Sequence, residues 1–141
     1  MMPTPVRILL AEDDRLLRTA AATALRRHGF EILTATHGEE ALALVQAKTP
    51  DLILLDLIMP KLDGFEVLRR LKADPERRMI PVIVLSNLGQ DSDVQRALDT
   101  GAAGYFVKSN LSLQDLVERV KETLAEPAMP SVRRDALENA G

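Results

Sequence analysis

Acidic, hydroxyl and basic side chains come directly after the short apolar runs of this 141-residue chain: Glu12, Asp13 and Asp14 after the first run, Asp56 after the third, Ser86 after the fourth and Lys108 after the fifth. Clustered carboxylates repel one another, and their pKa values rise unless a cation joins them. Mg²⁺ suits a site made of few carboxylates and bound water. The pattern therefore predicts a Mg²⁺ site with Asp13 as a direct ligand, Glu12 binding directly or through water, Asp56, and one backbone carbonyl.

Asp56 in this set can also act as a nucleophile. A carboxylate at the tip of a strand can attack phosphorus and form an aspartyl phosphate. Lys108 and the Ser86 hydroxyl would then hold the phosphoryl oxygens on the side opposite the metal. Phosphoryl transfer needs mainly positioning and charge neutralisation, and this set of residues supplies both.

The elements that must position these residues are five short apolar runs separated by segments of helical periodicity. The runs are Val6–Ala11, Glu31–Ala35, Asp51–Leu55, Pro81–Leu85 and Gly104–Val107. The first, third and fourth are nearly continuous, which is typical of parallel strands buried on both faces. Such alternation predicts an α/β fold, a parallel sheet with helices on both faces. Ligands bind outside the carboxyl ends of such strands, where the candidate residues lie.

Apolar stripes and capping residues mark the helices. The last helix has the clearest stripe, Leu113, Leu116, Val117, Val120 and Leu124, and the helix before it has Val94, Ala97 and Leu98. We predict that Ser112 is the N-cap of the last helix, and that Gly29 and Gly101 end the first and fourth helices. The folded domain is expected over residues 1–125, with residues 126–141 as a C-terminal tail or linker.

Composition excludes several classes of protein. Hydrophobic residues make up 46% of the chain, enough for a core, and the absence of cysteine excludes disulfide scaffolds and thiol catalysis. With 18 basic and 21 acidic residues, net −3, we expect no direct binding of nucleic acid. No apolar run approaches the length of a membrane span or signal peptide, so we expect a cytoplasmic protein without membrane contact.

Four stretches, ILLAEDD, DLILLDLIMPKLDGFEVL, PVIVLS and GAAGYFVKS, resemble in order and spacing the receiver domain of two-component response regulators. The resemblance covers about residues 6–125 and implies a flavodoxin-like, doubly wound five-stranded parallel sheet of order 2-1-3-4-5 with five helices. It also implies a role for each matching residue: Glu12 and Asp13 as the metal-binding acidic pair, Asp56 as phosphoacceptor and metal ligand, the Ile58 carbonyl as backbone metal ligand, Ser86 as switch hydroxyl, Tyr105 as switch aromatic, and Lys108 as the phosphoryl-binding lysine.

The function that this resemblance implies is a phosphorylation-driven switch. The only reactions expected of it are its own phosphorylation and dephosphorylation, so it would not be an enzyme acting on other substrates. A histidine kinase or phosphotransfer protein would donate to Asp56 with Mg²⁺ bound. Ser86 would then move toward the phosphoryl group and Tyr105 would turn inward. The surface of the fourth helix, fifth strand and fifth helix would change and so regulate a downstream protein target. We expect the chain to be a monomer or a weak phosphorylation-dependent dimer.

The sequence departs from the family pattern after the lysine and after the switch hydroxyl. Ser109 stands where proline is usual, so we expect a trans Lys108–Ser109 bond, since a non-proline cis bond costs roughly 2.5–4 kcal/mol. Asn87 stands where alanine is common. Ile58 and Leu88, each two residues beyond a site residue, are apolar and cannot orient an attacking water, which predicts slow self-dephosphorylation.

Other interpretations of the same residues stay open at this point. The acids at 12–14 could simply favour a helix N-terminus, Ser86 could cap a helix, Lys108 could be a solvated lysine, and Tyr105 could be ordinary core. An aspartyl-nucleophile phosphatase is disfavoured because Ile58 stands where such enzymes place a second acid. A receiver fold that no longer accepts phosphate is a third alternative. The chain could be a stand-alone receiver or a piece of a larger regulator.

Overall fold

The computed structural model describes residues 4–126, in which five strands alternate with five helices. The strands are β1 (Arg7–Ala11), β2 (Glu31–Ala35), β3 (Leu52–Asp56), β4 (Val82–Ser86) and β5 (Gly104–Val107). The helices are α1 (Arg15–Arg27), α2 (Gly38–Lys48), α3 (Gly64–Ala73), α4 (Asp91–Thr100) and α5 (Leu113–Ala125), with a short 3₁₀ helix, Lys108–Asn110, between β5 and α5. The predicted alternation is confirmed.

All five strands are parallel and lie in the order β2-β1-β3-β4-β5, the flavodoxin-like order that the family resemblance implied. The register pairs Asp56 with Leu85 and Ser86 with Val107. The carboxyl ends of β3, β4 and β5 are therefore level with one another. Side chains at or just beyond these ends meet at a single edge of the sheet.

Two apolar layers hold the helices against the sheet. Alternate residues of each strand face opposite sides, so Leu9 and Ile53 face one layer while Ile8 and Leu52 face the other. The first layer is covered by α2, α3 and α4, and the second by α1 and α5. Burial on both faces explains why the central strands are continuously apolar in sequence.

The third and fourth strands run one residue further than their apolar runs. Asp56 and Ser86 are the last residues of β3 and β4, whereas the sequence placed them just after the strands. A polar side chain does not prevent its backbone from hydrogen bonding to the neighbouring strand, so each strand extends beyond its apolar run. At the other end β4 begins at Val82, since Pro81 has no N–H to donate.

The helix ends agree with the predicted caps, but one residue of the fourth apolar stripe does not. Gly29 and Gly101 take positive φ at the ends of α1 and α4, and the Ser112 hydroxyl accepts a hydrogen bond from the Asp115 amide. Leu98, which the sequence places in the apolar stripe of this helix, is 42% exposed. Helix α4 packs on the sheet through the small Ala97, and the next residue, about 100° further round the helix, faces outward.

Three further observations bear on the sequence predictions. Every peptide bond within residues 4–126 is trans, including the one that joins Lys108 to Ser109. None of the helices in this range is long and apolar enough to cross a bilayer. The predicted tail or linker at 126–141 lies outside the described residues except for Glu126.

Gly64 lets the start of α3 approach the end of β3, where Asp56 lies. A Cβ at this position would stand 2.3 Å from the Asp56 carbonyl oxygen and 2.4 Å from Leu57 Cα. Since both are backbone atoms in a buried strand end, they cannot give way cheaply. We expect Gly64→Ala to lower the free energy of unfolding by about 1–3 kcal/mol, measured by urea denaturation.

Gly89→Ala is the matched control, because its added Cβ would meet the Val107 side chain at 3.5 Å and the Asn87 carbonyl oxygen at 4.0 Å, both ordinary contacts. The control should unfold within about 0.5 kcal/mol of the wild type. Equal stability of Gly64→Ala and Gly89→Ala would show that the close approach of α3 to β3 does not constrain the chain.

Candidate functional site

The β1–α1 loop carries three consecutive acids with three different environments. Glu12 is fully buried, whereas Asp13 and Asp14 are exposed. Asp14 is the N-cap of α1, and its Oδ1 accepts hydrogen bonds from the amides of Leu16 and Leu17. The helix-terminus interpretation therefore accounts for Asp14 but not for Glu12, which is turned toward the sheet edge.

The ammonium group of Lys108 joins the first and third strand ends. Its Nζ lies 2.9 Å from Asp56 Oδ2, 2.9 Å from Glu12 Oε2 and 2.7 Å from Glu12 Oε1. The lysine side chain is only 14% exposed, so it is not a solvated lysine at a strand end. Residues far apart in sequence thus form one buried ionic cluster at the carboxyl edge of the sheet.

Asp56 is 2% exposed and occupies the centre of this cluster. Its Oδ2 contacts Lys108, and its Oδ1 accepts a hydrogen bond from the Ile58 amide at 3.1 Å. These two donors hold the carboxylate in a fixed direction. The Ile58 side chain itself is 55% exposed, so the loop after β3 places an apolar side chain beside the cluster.

Ser86 and Tyr105 meet on the backbone of Leu88. The buried Ser86 Oγ accepts from the Leu88 amide at 3.1 Å, and the Tyr105 hydroxyl donates to the Leu88 carbonyl. Ser86 does not cap α4, whose N-cap is Gln90. Burial raises the pKa of the Tyr105 hydroxyl above its usual value, and a hydrogen bond with Ser86 opposes that rise. The two predicted switch residues are therefore linked through one loop.

The acidic cluster fits a divalent cation. One carboxylate oxygen from each of Glu12, Asp13 and Asp56 lies within 4.8 Å of the other two. Lys108 is the cation paired with Glu12 and Asp56, and the Asp13 carboxylate has no such partner among residues 4–126. Three carboxylates beside one ammonium group leave negative charge that a further cation can balance. The donor set is all oxygen, as Mg²⁺ prefers.

Burial and the lysine act in opposite directions on these carboxyl groups. Burial raises the pKa of Glu12 to about 7, although hydrogen bonds from Lys108 and the Asp14 amide oppose the rise. Burial alone would lower the pKa of Lys108, but its hydrogen bonds to Glu12 and Asp56 outweigh burial and raise it. The lysine therefore stays charged while Glu12 titrates near neutral pH.

The contact between Lys108 and Glu12 was not predicted. The sequence placed Lys108 opposite a bound metal, where it would hold phosphoryl oxygens. The principle that was not applied is that a buried glutamate needs a cationic partner, and Lys108 is that partner here. Five of the predicted site residues lie at the carboxyl ends of β1, β3, β4 and β5: Glu12, Asp13, Asp56, Ser86 and Lys108. Tyr105 lies within β5 and reaches the Leu88 carbonyl with its hydroxyl.

Comparison with known proteins places this arrangement in a family. Residues 8–121 match the response regulator receiver domain. A gliding motility regulatory protein of Myxococcus xanthus is 43% identical over 115 residues, which are 82% of this chain and 15% of that protein. The chain spans about half or less of the length of the curated relatives that it first matches.

Solved structures show the same architecture. A CheY-like response regulator receiver domain protein from Methanospirillum hungatei superposes with a TM-score of 0.80 at 25% identity, covering 98% of this chain and all of that one (100%). The Mn²⁺-bound form of the response regulator Rcp1 has a TM-score of 0.72 at 33% identity, covering 84% of this chain and 91% of that one. The acidic cluster of Glu12, Asp13 and Asp56 is typical of the receiver-domain metal site.

The raised pKa of Glu12 predicts how the stability of the metal-free protein depends on pH. The folded state holds a proton on Glu12 up to about pH 7, whereas the unfolded chain releases it near pH 4.5. The native state therefore binds more protons in this interval, and the free energy of unfolding falls as pH rises through it. Above pH 7 the accumulated loss should be about 3 kcal/mol.

Glu12→Gln removes this titration and keeps the size of the side chain. In urea denaturation with EDTA, the variant should match the wild type near pH 4.5 and become progressively more stable than it up to pH 7.5. Since all other groups titrate in both proteins, the difference between the two curves isolates Glu12. A difference that does not change with pH would contradict the assignment.

Proposed function

This chain belongs to the response regulator receiver domain family, and on that premise we propose that Asp56 is the phosphoacceptor of a signalling switch. The observation that carries the proposal is the cluster at the sheet edge. A buried aspartate is held by a lysine on one oxygen and a backbone amide on the other. Two further acids, Glu12 and Asp13, lie close enough to Asp56 for all three to bind one metal ion.

The phosphoryl donor in this proposal is a phosphohistidine of a histidine kinase or phosphotransfer protein. A carboxylate oxygen of Asp56 attacks phosphorus, a new O–P bond forms, and the P–N bond breaks with its electron pair passing to the imidazole nitrogen. The donor histidine then takes up a proton from water if the imidazole leaves as its anion. The product is an aspartyl phosphate, and no oxidant or reductant is required.

Charge neutralisation is the main task of the neighbouring residues. Glu12, Asp13, Asp56 and the Ile58 carbonyl would hold Mg²⁺, which when bound offsets the charge of the incoming phosphoryl oxygens. Lys108 already contacts Asp56 and can transfer its hydrogen bond from the carboxylate to a phosphoryl oxygen. Its raised pKa keeps it cationic at neutral pH, so it contributes a full charge to the transfer.

The signal would leave the site through Leu88. If Ser86 Oγ turns to a phosphoryl oxygen, it releases the Leu88 amide that it now accepts from. The Leu88 carbonyl is the partner of the Tyr105 hydroxyl, so movement of this loop also frees Tyr105. Both changes reach the surface of α4, β5 and α5, which we propose contacts a downstream protein target. A monomer or a weak phosphorylation-dependent dimer satisfies this scheme.

Asp56→Asn is the direct test of the phosphoacceptor. With radiolabelled acetyl phosphate and Mg²⁺, the wild type should become labelled and Asp56→Asn should not, because an amide is a poor nucleophile toward phosphorus. Addition of EDTA should suppress labelling of the wild type.

Asp51→Asn serves as the matched control, since Asp51 precedes the same strand at its other end and accepts a hydrogen bond from the Arg7 amide. Labelling of Asp51→Asn should equal that of the wild type. Undiminished labelling of Asp56→Asn would overturn the assignment.

Slow loss of the phosphoryl group is a second expectation. Ile58 and Leu88 offer no polar atom in their side chains to orient a water molecule for attack on phosphorus. The label on the isolated protein should persist for many minutes, measured by its decay after removal of the donor. Ile58→Asn should shorten the half-life and Ile58→Val should leave it unchanged, while a wild-type half-life of seconds would contradict the prediction.

A further inference from the structure

Arg18 connects helix α1 to the backbone of the acidic loop. Its Nη1 donates to the Glu12 carbonyl at 2.9 Å and to the Asp13 carbonyl at 3.2 Å. Side chains in a helix lean toward its N-terminus, so a long residue at the fourth position of α1 can reach the preceding loop. The side chain is half-buried. Two successive carbonyls therefore point at the same guanidinium nitrogen.

This pair of hydrogen bonds acts on the residue between the two peptide groups. Asp13 lies between the Glu12 and Asp13 carbonyls, so fixing both peptide planes fixes the direction in which the Asp13 side chain leaves the backbone. The Asp13 carboxylate itself has no hydrogen bond or ion pair with another residue in 4–126. Its place beside Glu12 and Asp56 is set by its backbone alone.

The other contacts of the loop hold its start and the peptide group between Asp13 and Asp14, whereas Arg18 holds both peptide groups that flank Asp13. The Glu12 amide donates to the Ala35 carbonyl at 2.9 Å, and the Asp14 amide donates to Glu12 Oε2 at 3.0 Å. Within residues 4–126, Arg18 is the side-chain donor to the carbonyls on either side of Asp13.

We propose that Arg18 is a positioning residue for the cation site, which holds the Asp13 carboxylate in ligand geometry through the backbone of residues 12–14. The inference rests on the proposed metal site and adds a residue that touches neither metal nor phosphoryl group. Partners of this kind, outside the ligand shell, change metal affinity by about 10- to 100-fold when removed.

A charge effect of Arg18 and a positioning effect of Arg18 predict opposite changes in Mg²⁺ affinity when the arginine is removed. A guanidinium near the site repels a divalent cation, so an arginine acting through its charge alone would weaken Mg²⁺ binding and its removal would tighten it. An arginine that positions Asp13 would strengthen Mg²⁺ binding, and its removal would weaken it. Arg15 supplies the control, because it is exposed at the start of the same helix and has no hydrogen bond or ion pair with a residue in 4–126.

The experiment compares the wild type, Arg18→Met and Arg15→Met in titration calorimetry with Mg²⁺. Methionine keeps most of the apolar stem and removes the donors. Arg18→Met should bind Mg²⁺ roughly tenfold more weakly, whereas Arg15→Met should bind it as tightly as the wild type or slightly more tightly. The initial rate of labelling by acetyl phosphate in Arg18→Met should return to the wild-type value at saturating Mg²⁺.

A readout on the metal-free protein separates positioning from loss of fold. In EDTA, hydrogen–deuterium exchange should accelerate at the amides of residues 12–14 in Arg18→Met and stay unchanged in β3 and β4. Arg18→Lys, which returns a charged donor with a shorter reach, should lose less affinity for Mg²⁺ than Arg18→Met. It also carries the test if the methionine variant does not fold.

The outcomes distinguish this inference from the function that it rests on. If the wild type binds no Mg²⁺, the proposed metal site and the role of Arg18 fail together. If the wild type binds Mg²⁺ and Arg18→Met binds it equally well or more tightly, the role of Arg18 alone is overturned. Weaker binding by Arg18→Met with unchanged binding by Arg15→Met supports it.

Discussion

The ammonium group of Lys108 lies between two carboxylates that the fold has taken out of water, and the arrangement of the site depends on this contact. Glu12 is fully buried and Asp56 is 2% exposed. Two buried like charges would repel each other and would favour protonation. The lysine compensates that repulsion from the fifth strand, so the ends of β1, β3 and β5 are held together by charge as well as by the sheet.

Lys108 compensates only part of the negative charge of this cluster. Lys108 pairs with Glu12 and Asp56, whereas the Asp13 carboxylate beside them has no cationic partner within the described residues. The cluster therefore carries an excess of negative charge that a divalent cation can balance. An incoming phosphoryl group would bring further negative charge, so the cation and the lysine would both be needed to hold it near Asp56.

Much of this could be predicted from sequence because it follows from local pattern. Apolar runs at strand length alternate with helical periodicity, which fixes the fold class, and the residue after each run lies at the carboxyl edge. Contacts between distant side chains do not follow from such patterns. Neither the second partner of Lys108 nor the two hydrogen bonds of Arg18 can be predicted from spacing, because each depends on how a long side chain turns after packing. The exposure of Leu98 does not follow from the pattern either, since α4 packs on the sheet through Ala97 and leaves the next residue outward.

We propose that Asp56, and none of the neighbouring acids, forms the acyl phosphate. Borohydride reduces an acyl phosphate to an alcohol, so treatment of the phosphorylated wild-type protein converts the modified aspartate to homoserine. Peptide sequencing by mass spectrometry then locates the change in the segment between Lys48 and Lys61. We expect homoserine at position 56 alone, and reduction at Glu12 or Asp13 with Asp56 intact would rule out Asp56 as the phosphoacceptor.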